Sequence, residues 1–118
     1  PPFLARMARY HKQLRRGKDV IFRGAPHMLV VAAKEDSATP VVDPVIALSY
    51  FELYAQSLGV GTLWCGLAMG ALQAFPELLK RLDLPEGYRA GYCMLFGPTD
   101  LRYRRAVQPD PVRILSVR

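Results

Sequence analysis

The chain has 118 residues, 51% hydrophobic and 22% charged, with a formal net charge of +6. That is enough chain for one domain with its own core, and the composition is that of a globular chain rather than a disordered one. No run approaches the roughly 20 apolar residues that a membrane-spanning helix needs, so no membrane role is expected.

Cys65 and Cys93 make no disulfide framework and read as reduced thiols of a cytoplasmic protein. They cannot by themselves complete a four-ligand zinc site, the only histidines are His11 and His27, and no metal site is expected. The positive charge raises nucleic acid as a partner. However, the basic residues gather near the two ends, from Arg6 to Arg23 and from Arg102 to Arg118, without a helix-turn-helix, zinc-finger or RNA-binding signature. An anionic small molecule or a shared subunit surface accounts for two basic clusters at least as well, so a nucleic-acid partner is not favoured. The Pro1-Pro2 start, without a signal peptide, reads as a processed, trimmed or partial chain.

In chain order, residues 3–16 read as a helix. Leu4, Met7, Ala8, His11 and Leu14 form one apolar stripe, arginines and lysines fill the rest, and Gly17 closes the end. Met28 to Ala33 is a continuous apolar run that fits a buried strand. Residues 34–42 read as a surface loop. Asp43 is the expected N-cap of a helix from Pro44 to Leu58, with Pro44 at its first position. That helix has almost no charge except Glu52, so it is expected to be buried.

Gly59 is a natural end to it, and residues 59–66 read as a short strand or extended loop. Helices are expected at 67–74 and 76–82, then a turn at Leu84-Pro85-Glu86-Gly87. Tyr88 to Phe96 alternates as a strand, ended by Gly97-Pro98. Residues 100–118 read as an extended arm able to supply an edge strand. Two full strands and one short one make a meagre sheet, which points to partner strands in a missing half or a second subunit.

Three segments in this order resemble the nitroreductase family. The first is Phe22-Arg-Gly-Ala-Pro-His-Met-Leu-Val-Val31. The second is Asp43 to Gly66, which is similar to the family's long core helix running into a Leu-Gly-Leu-Gly-Thr-x-Trp-x-Gly turn. The third joins Leu84-Pro-Glu-Gly-Tyr88, Tyr92-Cys-Met-Leu-Phe-Gly-Pro98 and Tyr103-Arg-Arg105. The resemblance runs from about residue 20 to the end, and it implies the C-terminal part of a nitroreductase-like domain over residues 1–118. It also implies an α+β fold, an antiparallel-type sheet flanked by helices, incomplete in this chain. Members are usually homodimers with FMN at the subunit interface. The family's N-terminal Arg-Arg-Ser-x-Arg phosphate clamp has no counterpart here.

By this resemblance, Trp64, Cys65 and Gly66 lie against the isoalloxazine ring, because a flat, polar-edged cofactor needs close backbone donors. Arg104 and Arg105 would reach the FMN phosphate, with Arg102 behind them, since arginine offers paired donors to phosphate oxygens. Without the resemblance, Gly59 and Gly61 are a cap and a turn, Trp64 is a core anchor, and the arginines are an exposed basic tail. No protein nucleophile is expected: nothing pairs His27 with Cys65, and the flavin performs the redox step. The expected activity is an NAD(P)H-dependent reduction of nitroaromatic or quinone-like acceptors. The rival reading is a non-catalytic dimerisation or binding module that keeps the fold without flavin.

Overall fold

The computed structural model describes residues 2–102, 104–105, 107–112 and 114–116, and side chains from residue 5 onward. Its elements in chain order are α1 (Pro2–Leu14), β1 (His27–Lys34), α2 (Val42–Ser57), β2 (Val60–Trp64), α3 (Gly66–Ala74), α4 (Pro76–Lys80) and β3 (Tyr88–Pro98). The three strands form one antiparallel sheet in the order β1-β3-β2. The last strand is therefore the central one. Its alternating large residues serve both faces, and its Cys93, Met94 and Leu95 are almost wholly buried.

The pleat of β3 sorts the core into two layers, because successive side chains point to opposite faces. Cys93 and Leu95 join Cys65, Ala68, Met69 and Leu72 in a cluster beneath α3, closed by Ile21, Leu78, Leu82 and Leu84. On the other face lies α2, which buries Pro44, Leu48 and Ala55 and sets Phe51 edge-on against Phe96 at 5.3 Å. The pairing of β1 with β3 slips at Val31/Ala32, leaving Gly91 as the extra residue. A side chain at Gly91 would fall into the Pro44 ring and come 3.2 Å from the Val31 carbonyl, so glycine lets the helix start sit directly on the bulge.

The helix ends follow from local chemistry. Gly17 adopts φ 75°, and the Lys18 N–H donates to the Gln13 carbonyl while the Gly17 N–H donates to that of Leu14. This is the double bond pattern that satisfies the last carbonyls of a helix, and it ends α1 at Leu14. Gly59 ends α2 in the same left-handed region, at φ 71°.

Four expectations are corrected. Asp43 is not the N-cap of α2: the helix begins at Val42 after Val41, and Asp43 instead accepts the Thr39 hydroxyl at 2.6 Å. Pro44 thus stands third, still within the turn whose N–H groups have no intrahelical acceptor, so it disrupts nothing. In α1, Met7, Tyr10 and Gln13 are half-buried, whereas Ala8, His11 and Leu14 are exposed.

Nor is α2 buried all round. Val42, Val45, Ile46, Tyr50, Leu53 and Tyr54 are exposed, Tyr50 by 73% and Leu53 by 70%. A three-stranded sheet covers one side of the helix, and no described element covers the other. Finally, among the described residues the arm after Pro98 contains no strand, and Leu101, Val107, Val112, Ile114 and Leu115 are all exposed. Tyr103, Arg113 and Arg118 of the basic tail lie outside the described residues.

Candidate functional site

The turn from β2 into α3 is built by two register constraints. Trp64 pairs with Met94 at the end of the ladder, and the next N–H, of Cys65, donates to the Cys93 carbonyl at 3.1 Å. The chain then turns into α3, whose first internal bond runs from the Met69 N–H to the Cys65 carbonyl. The opening N–H groups of a helix have no acceptor within it. Among the described residues no side chain caps them, and Gly66 is exposed. Uncapped donors at the positive end of a helix suit a polar or anionic ligand edge.

Trp64 points to the α2 face and is half-buried. Its ring lies 5.5 Å from that of Tyr92 at a tilt of 58°. A side chain at Gly66 would meet the Tyr92 hydroxyl at 3.0 Å, so glycine keeps the backbone close to that hydroxyl. The indole Nε1–H donates to Glu52 Oε2 at 2.9 Å, and the Thr62 hydroxyl donates to Glu52 Oε1 at 3.3 Å. Cys65 faces the opposite layer, buried, with its thiol toward the Ile21 carbonyl at 3.9 Å. His27 stacks on Phe96 at 5.1 Å.

Trp64, Cys65 and Gly66 therefore stand together at one end of β2. Arg104 and Arg105 are exposed on the arm, which leaves the sheet at Pro98, opposite Val60 at the other end of the same strand. Val60 and Trp64 are four steps apart, about 13 Å along a strand. The six steps from Pro98 to Arg104 can span about 20 Å when extended. A cleft of about 680 Å³ opens at the Val60 end, lined by Arg23, Pro26, Gln56, Gly61, Phe96 and Arg102 among others. Neither the Trp64 turn nor the Arg104–Arg105 pair lines it; Arg102 does. Glu52 and Tyr92 both meet Trp64, and of the two the sequence signals only Glu52. The available signal was a lone carboxylate in an otherwise apolar stretch of helix.

Among the described residues there is no cluster of three or more His, Cys, Asp or Glu able to hold a metal ion. No described helix is long and apolar enough to cross a membrane.

The chain is of the α+β class, with helices on both faces of an antiparallel sheet and a glycine-bounded Trp turn running into the start of a helix. The nitroreductase family model matches residues 2–98, and the chain belongs to that family. A nitroreductase with bound FMN from Desulfitobacterium hafniense is 35% identical, with a TM-score of 0.62 over 86% of this chain and 55% of that one. A nitroreductase with bound FMN from Bacteroides fragilis is 23% identical, with a TM-score of 0.65 over 89% of this chain and 61% of that one. An FMN-dependent nitroreductase from Clostridium difficile is 22% identical, with a TM-score of 0.58 over 91% of this chain and 68% of that one. The last two likenesses concern the fold alone. The chain spans little more than half the length of the first two. A comparison with curated proteins found no match.

Proposed function

We propose that residues 1–118 are the C-terminal part of a nitroreductase-like domain and contribute half of an FMN site to an NAD(P)H-dependent oxidoreductase. The observation that carries this reading is the half-buried Trp64 beside an uncapped, exposed helix start at Gly66. Flat apolar surface next to backbone donors matches the two needs of an isoalloxazine ring, stacking area and hydrogen bonds to its polar edge. When bound, FMN supplies the redox chemistry, hydride uptake from NAD(P)H and electron delivery to a nitroaromatic, quinone or similar acceptor. The protein's own part is to hold the ring with Trp64, Cys65 and Gly66 and to neutralise the phosphate with Arg104 and Arg105. Burial of Cys65 supports a packing role for its side chain, with its backbone facing the cofactor. The protein functions in the cytoplasm as a homodimer, a reading supported by two unpaired thiols and by the exposed apolar side of α2.

The test is FMN titration, followed by flavin absorbance, of the full chain and of the protein with its remaining domain portion. The chain alone is expected to bind FMN weakly or not at all, and the completed protein stoichiometrically. Arg104→Ala with Arg105→Ala should lower FMN affinity of the completed protein by at least about tenfold, the scale of one lost charge-assisted hydrogen bond. Unchanged affinity would remove the phosphate assignment. The second reading, a dimerisation module without flavin, is favoured by the same apolar side of α2. A completed protein that takes up no FMN would establish it.

A further inference from the structure

The Trp64 turn is anchored from outside itself. Glu52 lies in the middle of α2, half-buried, ten residues before Thr62 and twelve before Trp64. Its two carboxylate oxygens are divided between two donors, Oε1 to the Thr62 hydroxyl and Oε2 to the Trp64 indole N–H. Thr62 and Trp64 are alternate residues of β2, so both project from the same face toward α2. The only other charged residue of α2, Asp43, sits in its first turn and is bonded to Thr39. Withdrawing a carboxylate from water is unfavourable unless its oxygens are bonded. Here the bonds go to two side chains of one short strand.

From this we propose that Glu52 is a positioning residue, which fixes the plane of the Trp64 indole and the setting of Thr62 by clamping β2 to α2. An indole can rotate about its side-chain torsions, and the Tyr92 ring at 5.5 Å meets it at a tilt of 58° rather than stacked flat on it. A hydrogen bond to the ring N–H, shared with the neighbouring same-face threonine, removes that freedom before any ligand arrives. The consequence for catalysis rests on the flavin reading of the Trp64 turn. The clamp itself does not, because every partner belongs to this chain.

Trp64 is the only tryptophan, so it reports without labelling. In the full chain without flavin, Glu52→Ala is expected to shift Trp64 emission to the red and to raise its acrylamide quenching constant severalfold, with unchanged far-UV circular dichroism. Glu52→Gln keeps an acceptor oxygen and should restore most of the wild-type signal, whereas Glu52→Met, of similar size but without an acceptor oxygen, should not. Should Glu52→Ala fail to fold, the wild-type indole N–H still decides: it should exchange slowly with solvent. An indole N–H exchanging as freely as an exposed one, or a folded Glu52→Ala protein with wild-type emission and quenching, overturns the proposal. Addition of FMN to the completed protein tests the other reading separately. If the Glu52 effects are present but FMN leaves Trp64 emission unquenched, the flavin assignment of the turn fails and the clamp stands.

Discussion

Cys65 and Cys93 are joined twice: the Cys65 N–H donates to the Cys93 carbonyl at 3.1 Å, and the Cys93 thiol donates to the Cys65 carbonyl at 3.2 Å. The pair extends the β2–β3 ladder by one rung beyond Trp64 and sets where α3 begins. Burial, and then the nearby Cys65, push the Cys93 thiol from its ordinary 9.0 up to about 11. Below 9.0 the thiol is protonated in folded and unfolded chains alike, and its full contribution is present. Between 9.0 and about 11 the unfolded chain gives up the proton while the folded one keeps it, so stability falls as pH rises. Urea midpoints measured on either side of that window should fall more for the wild type than for Cys93→Ala. Equal declines would show that the thiol does not titrate as described.

Asp19 carries the opposite sign. Its carboxylate accepts the N–H groups of Ile21, Phe22 and Gly24 at 3.1, 2.8 and 3.0 Å. These bonds, that of Gly24 first, hold it below the ordinary 3.8. Its contribution is present above 3.8 and is lost as pH falls through the lowered value. The loop it organises supplies Ile21 to the core under α3. Asp19→Asn should therefore be less stable than the wild type at neutral pH, and the gap should close in acid. Thermal melts of both proteins across that range will show whether it does.

Gly91 has no room for a methyl group, because Pro44 of α2 and the Val31 carbonyl occupy the space. Gly91→Ala should destabilise the chain by about 1–3 kcal/mol, the usual scale of overpacking in a close-packed interior. By contrast Gly70, with nothing within reach of an added Cβ and a place inside α3, should accept alanine with a gain of about 0.5–1 kcal/mol. Denaturant midpoints of the two variants should move in opposite directions.

The exposed side of α2 makes a prediction about assembly. Val42, Ile46, Tyr50 and Leu53 follow helical spacing on one exposed apolar surface. If this side is a contact between two copies of the chain, Ile46→Asp with Leu53→Asp should shift the protein toward monomer in sedimentation experiments and leave its circular dichroism intact. A wild type that is monomeric at high concentration would rule that contact out.

Much of this was readable in the order of residues. The apolar run at β1 and the alternation at β3 predicted strands that form, with ends extended by one or two residues. Gly17 and Gly59 marked helix ends because a left-handed residue is a local need that glycine meets most easily. The three spaced motifs indicated the family and therefore the fold. What could not be read depends on which surfaces meet. Strand order placed the last strand in the middle, and only then did α2 acquire a covered side and an open one. α2 starts at Val42 because the Thr39 carbonyl accepts the N–H groups of Val42 and Asp43 while the Thr39 hydroxyl donates to the Asp43 carboxylate. The Glu52 clamp joins a helix residue to Thr62 and Trp64 of a strand, and no local period spans those two elements, so no local pattern could indicate it. Periodicity and caps are short-range properties carried by the chain itself. Burial and side-chain partnership arise only once the sheet has chosen its neighbours.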